Sequence, residues 1–109
     1  MRFTRKKLDA HIQQFLEVLE SNGYTLQKVI LFGSYANGYP HEYSDIDLAI
    51  WSPQFSDDPY ETKEQIRSIL QQFSPIQLHP YAAAETALTD PFISEIERTG
   101  EIINTKLIV

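Results

Sequence analysis

The sequence predicts an α/β (α+β) fold: a small mixed β-sheet of three to four strands with helices packed on one face. Three observations predict it. Short, β-branched apolar runs at 28–32, 45–51 and 76–79 are interleaved with stretches of helical periodicity. A length of 109 residues fits a single domain over 1–109 with one modest core and no room for a second, cofactor-binding domain. Apolar residues make up 42% and charged residues 22%, the balance of a packed globule and not of a disordered or membrane chain.

Taken in order, Leu8, Ile12, Phe15, Leu16 and Leu19 recur at helical spacing, and Asn22-Gly23 supplies a left-handed stop, so 4–21 reads as an amphipathic helix. Lys28-Val29-Ile30-Leu31-Phe32 reads as a buried strand running into a tight turn at Gly33-Ser34. One or two helical turns over 35–37 would be broken by Gly38 and Pro40, and a polar loop leads to the second strand, 45–51. On that strand Asp45, Asp47 and Ala49 share one face while Ile46, Leu48 and Ile50 share the other.

Asp57-Asp58-Pro59 opens a second long helix, striped by Ile66, Ile69, Leu70 and Phe73 and ending near Ser74-Pro75. Ile76-Gln77-Leu78-His79 is a third strand closed by Pro80, and a loop or loose helical turn follows over 81–89. Asp90-Pro91 caps a last helix whose Phe92, Ile93 and Ile96 face inward and which stops at Gly100, with a fourth strand at 101–103.

Composition narrows the function. There is no cysteine, so disulfides, thiolate zinc and thiol nucleophiles are out, and any metal must bind through oxygen or imidazole. The basic start of the chain is followed by no apolar signal core and no membrane-length run, which predicts a cytoplasmic protein with no membrane partner. Net charge is −6, and from Leu8 onward five basic residues face fifteen acidic ones. Tight binding of nucleic acid rests on neutralising phosphates, so a body this acidic argues against a long nucleic acid as partner. A small nucleotide entering with divalent metal remains compatible.

The chemistry is concentrated in Phe32-Gly33-Ser34-Tyr35-Ala36-Asn37-Gly38 and, a short loop later, Ser44-Asp45-Ile46-Asp47-Leu48. Glycine at position 33 lets the backbone turn sharply and approach a ligand, Ser34 adds a hydroxyl donor, and amides opening a following helix make an anion site. Two carboxylates at i and i+2 on a strand point the same way about 6 to 7 Å apart, close enough to chelate one hard cation or bridge two. Alone, an Asp-x-Asp pair is equally a solvent-facing strand edge. Beside a Gly-Ser turn it pairs an anion site with a cation site, the requirement of metal-assisted phosphoryl or nucleotidyl transfer.

Gly-Ser, ten intervening residues, then Asp-x-Asp, set in this order of elements, resembles the minimal nucleotidyltransferases of the DNA polymerase beta-like superfamily, the type found as the antitoxin of two-component modules. The signature spans 29–50, with Tyr35 and Asn37 standing where arginines are usual. The resemblance implies that Gly33 and Ser34 hold the β- and γ-phosphates of a nucleoside triphosphate, most often ATP, and that Asp45 and Asp47 bind two Mg²⁺ ions. It implies AMP transfer to a protein or small-molecule hydroxyl, with a helical HEPN-type toxin or a second copy of the chain as partner.

One departure stands out. The family places a third carboxylate on the next strand, where this chain offers Gln77 or His79. Gln77 presents a neutral oxygen and cannot act as base. His79 could act as base, ligate through nitrogen, or simply end the strand. Glu85 is an outside source of the missing acid. The departure leaves a second reading, a catalytically weak or inactive nucleotide-binding module that works by binding a partner, and a third, a metal-dependent hydrolase. Among lesser candidates, His41 and Glu42 could touch a nucleotide or sit in a solvated loop, Tyr35 could stack on a base or fill the space left by arginine, His11 reads as surface and Trp51 as core. The loop around Tyr39 and Tyr43 and the tail Leu107-Ile108-Val109 are candidate contact surfaces.

Overall fold

The computed structural model describes residues 3–41 and 44–103. Glu42, Tyr43 and the tail Leu107-Ile108-Val109, named above as candidates, lie outside the described residues. Helix α1 spans Arg5–Ser21; Thr4 caps it by accepting from the Lys7 amide, and Gly23, at φ 94°, turns the chain away at its end. Strand β1 (Lys28–Phe32) leads into a single helical turn, α2 (Ser34–Asn37), and then β2 (Ile46–Ser52). Helices α3 (Pro59–Gln65) and α4 (Arg67–Gln72) follow, then β3 (Ile76–Ala82), α5 (Pro91–Thr99) and the two-residue β4 (Glu101–Ile102).

The sheet runs β3-β2-β1-β4, with β1 antiparallel to both β2 and β4 and β2 parallel to β3. This is the expected mixed sheet with four strands. A parallel pair needs a long crossover, and α3 with α4 supplies it. Strand alternation divides the apolar residues. Val29, Leu31, Ile46, Leu48 and Ile50 join the α1 stripe, Ile66 and Phe73 in the larger core, while Ile30, Phe32, Ala49 and Trp51 join Tyr81 with Ile93 and Ile96 of α5. Helices α1 and α4 therefore cover one face as expected, and α5 covers part of the other.

Three local readings are corrected. The helix expected to run unbroken from Pro59 breaks at Ile66, whose φ of −113° leaves helical geometry where the side chain is buried in the core, at 1% exposure. Strand β3 does not close at His79 but continues through Pro80 to Ala82. It can do so because β3 is an edge strand, where a residue lacking N–H removes no ladder hydrogen bond on the outer side. His11, read as surface, is half-buried: its Nε2 lies 3.0 Å from the Phe73 carbonyl oxygen, and its ring sits between Phe3 and Phe73. Its neighbours from two sequence-distant segments could not be read from the helix pattern.

The two ends of the described chain are tied together. Arg5 Nη1 donates to Glu101 Oε1 at 2.9 Å, and this hydrogen bond holds the Glu101 carboxyl below its ordinary range. A depressed carboxylate adds stability above its unfolded pKa and loses it as pH falls through the folded value. Both side chains are about half exposed, so urea unfolding should show Glu101→Gln less stable by under about 1 kcal/mol at neutral pH, the difference vanishing in acid. Gly100, where α5 meets β4, is far more constrained: an added Cβ would stand 2.4 Å from Ile30 Cγ2 and 2.6 Å from the Ile96 carbonyl oxygen. Gly100→Ala should cost about 1 to 3 kcal/mol in the same measurement.

Candidate functional site

The register of the central strands builds the site. Phe32 pairs with Asp47 and Asp47 with Gln77, so these three side chains form one row across the sheet. The next row on the same face is Ile30, Ala49 and His79, and the third is Lys28, Trp51 and Tyr81. Helix α5 rests on the second and third rows through Ile93 and Ile96 and reaches Phe32 at one end of the first through Phe92. The first row, at the start of β2 and β3, stays partly open, with Gln77 exposed and Asp47 26% exposed.

Gly33 follows Phe32 directly and brings the backbone against the Asp47 carboxylate. Its φ of 77° and ψ of −152° lie in a region only glycine occupies readily, and a Cβ there would stand 2.4 Å from Asp47 Oδ2. The turn expected at this position is thus required twice, by conformation and by space. Ser34 opens the α2 turn immediately after it. Gly33, Ser34 and Asp47 are brought together as the pattern of residues suggested.

The other oxygen of Asp47 faces the third strand. His79 Nε2 lies 3.4 Å from Asp47 Oδ1, and the imidazole stands edge-on to the Phe32 ring at a centroid distance of 4.7 Å. Gln77 is the register partner of Asp47, so the position on β3 beside the acid holds an amide. Asp45, just before β2, is exposed and turns toward a hollow of about 420 Å³ that it shares with Gln77, Lys63 and Arg67. Lys63 also lines a second hollow of about 260 Å³ with His79, Tyr81 and Asp90. These two cationic side chains come from the crossover helices, and nothing in their local sequence pointed to the acids; only the packing of α3 along β3 does.

Other candidates are relocated. Tyr35 is buried at 8% exposure, and its hydroxyl accepts from the Phe3 amide at 3.0 Å, so it fills the core and does not stack on a base. Glu85 is tied to the far end of β2, where its carbonyl accepts from Trp51 Nε1 at 2.9 Å. Four strand residues, roughly 13 Å, separate Trp51 from Asp47, so Glu85 is no substitute third acid. Trp51 is core, as expected, stacked on Tyr81 at 4.8 Å. Tyr81 is pushed up to about 12 by burial first, then by the negative charge of Asp90 and Glu85. His41 is exposed, and its amide donates to Ser44 Oγ at 2.8 Å, closing the turn that enters β2.

Among the described residues no three His, Cys, Asp or Glu side chains converge to cage a metal ion. The donors do fit a hard cation that keeps part of its coordination for substrate, the usual way Mg²⁺ is held through one or two carboxylates plus phosphate oxygens. Among the described residues no helix is long and apolar enough to cross a membrane.

Fold and site together define a small α+β protein in which one aspartate, Asp47, stands against a glycine turn. A family profile for the nucleotidyltransferase domain matches residues 12–106, and the chain belongs to that family. Solved structures agree in fold. A mutant of the toxin–antitoxin pair MntA-HpeT aligns at 18% identity over 96% of this chain and 75% of that one, with a TM-score of 0.57. Another mutant of the pair aligns at 20% identity over 85% and 72%, with a TM-score of 0.53. A toxin–antitoxin structure with AMP-PNP aligns at 22% over 90% and 73%, with a TM-score of 0.56. No curated protein matches the chain.

Two measurements check this geometry. Gly33→Ala should lower unfolding free energy by roughly 1 to 3 kcal/mol through backbone strain, with the clash added. Gly38→Ala should cost visibly less, since a Cβ at Gly38 meets nothing within 4 Å. In an absorbance titration Tyr81 should ionise near 12, above an ordinary phenol, and Asp90→Asn should bring it down, because the substitution removes a negative charge that opposes the phenolate.

Proposed function

We propose that this chain is a divalent-cation-dependent nucleotidyltransferase that moves a nucleoside monophosphate, AMP from ATP, onto a hydroxyl of a protein or small molecule. The observation that carries the reading is the apposition of the Gly33 turn and the Asp47 carboxylate, in a chain of the nucleotidyltransferase domain family. It sets backbone that can approach a phosphate beside a carboxylate that can hold that phosphate's counter-ion.

Asp45 and Asp47 are the residues that would hold Mg²⁺, two ions in the form the resemblance implies. Bound there, the ions neutralise charge on the phosphate oxygens and align attacking and leaving oxygens. Gly33 admits the β- and γ-phosphates to close range, and the Ser34 hydroxyl donates to them. Gln77 presents a neutral amide oxygen to the same row. The acceptor oxygen bonds to the α-phosphorus, the bond from that phosphorus to the α–β bridging oxygen breaks, pyrophosphate leaves, and the hydroxyl proton passes to water.

The solved toxin–antitoxin relatives, one with AMP-PNP, support a partner protein as acceptor, and the resemblance makes it a helical HEPN-type toxin met in the cytoplasm. Tyr39, 83% exposed at the loop between Gly33 and Asp45, is available to such a partner. The acidic body supports a small nucleotide, not a long nucleic acid, as ligand.

A second reading is favoured by one observation: Gln77 occupies the β3 position beside Asp47. In that reading the chain binds nucleotide and partner without turnover. Incubation with labelled ATP, Mg²⁺ or Mn²⁺ and the neighbouring gene product separates the two. The enzyme labels its partner, and Asp47→Asn lowers the labelling by about 100-fold or more while partner binding persists. Tight partner binding with no label transfer, unchanged by Asp45→Asn, would establish the second reading instead.

A further inference from the structure

We propose that His79 is a metal ligand, so that one cation of this site is held jointly by Asp47 Oδ1 and His79 Nε2 and Mn²⁺ is bound in preference to Mg²⁺. The inference rests on the reading of Asp47 as a cation site and adds a donor and a metal preference to it.

The first observation is the separation of the two atoms. His79 Nε2 stands 3.4 Å from Asp47 Oδ1, longer than the ~2.9 to 3.0 Å at which N–H and carboxylate oxygens settle. Neighbouring ligands about 2.1 Å from an octahedral ion such as Mg²⁺ or Mn²⁺ are about 3.0 Å apart. The pair stands within about half an ångström of the spacing of two donors on one such cation.

The second observation is that both donors are aimed. Gly33 crowds Asp47 Oδ2, within 2.4 Å of where a Cβ would stand, so the carboxylate presents Oδ1 toward β3. The His79 ring is held edge-on by Phe32 at 4.7 Å, and its register partner is Ala49, whose single methyl leaves the imidazole room to lean along the sheet toward Asp47. At 35% exposure the side chain keeps one side open to incoming ligands.

The third is donor chemistry. A site of two carboxylates and a third would be all oxygen and trianionic, a setting suited to Mg²⁺. Exchanging the third acid for imidazole lowers the charge and adds a nitrogen donor, which first-row divalent ions accept more readily than Mg²⁺ does. Gln77, exposed and neutral, does not reverse that balance.

The full chain is titrated with Mn²⁺ in the presence of α,β-methylene-ATP, whose α–β bridge cannot be cleaved, and free Mn²⁺ is followed by electron paramagnetic resonance. Spin-echo modulation of the bound ion should show nitrogen coupling in the wild type and none in His79→Gln, a substitution that keeps bulk and polarity. Mn²⁺ affinity should fall about tenfold in His79→Gln, while Mg²⁺ affinity, measured by competition, changes less than about twofold. His79→Asp should shift the preference back toward Mg²⁺. Bound Mn²⁺ without nitrogen coupling in the wild type, or equal Mn²⁺ affinity in wild type and His79→Gln while Asp47→Asn abolishes binding, overturns the role of His79 and leaves the Asp47 site standing. Mn²⁺ binding that survives Asp47→Asn overturns both.

Discussion

The register between β1 and β2 is the constraint on which the site depends. Phe32 opposite Asp47 places the residue after Phe32 against the carboxylate, and only a residue without a side chain can stand there. A shift of one residue would turn Asp47 into the face that carries Leu31 and Leu48, where an unpaired charge is costly. The apolar half of each strand thus fixes where the polar half can act. Burial of Val29, Leu31, Ile46, Leu48 and Ile50 against α1 holds the register, and the register holds Gly33 to Asp47.

The uneven covering of the sheet's second face leaves that contact open to solvent. Helix α5 reaches Ile30, Ala49, Trp51 and Tyr81 but leaves the row of Asp47 and Gln77 in reach of solvent. Where α5 lies, the sheet is core; one row further on, it is a surface able to take a ligand. His79 stands at the boundary, packed on Phe32 at one side and facing Asp47 at the other. Lys63 adds positive charge beside an otherwise acidic surface, while Arg67 beside it is paired with Glu64.

Much of this was legible in the linear chain. Helix α1, the strand before Gly33, the alternation of β2 and the proline-opened helices follow from periodicity, caps and breakers, which are local properties. Bringing Gly33 against Asp47 needed only a turn between two adjacent strands. The break at Ile66, the continuation of β3 through Pro80 and the half-buried His11 were not legible, because each depends on which residues lie across the core or on which strand is an edge. The choice between the two readings of Tyr35, and the distance of Glu85 from the acids, were not legible for the same reason: their partners, Phe3 and Trp51, lie about thirty residues away.

The sequence by itself determined the order of helices and strands, the apolar face of α1 and β2, and a glycine turn followed closely by two aspartates, since all of these are set by spacing along the chain. The tertiary structure alone decided what stands beside the acids. The parallel pairing of β2 with β3 set Gln77 next to Asp47 and leaned His79 toward it, and the packing of α3 against β3 brought Lys63 alongside. Those neighbours come from a crossover whose length and hand no local pattern records, and they set the donor groups and the charge around Asp47.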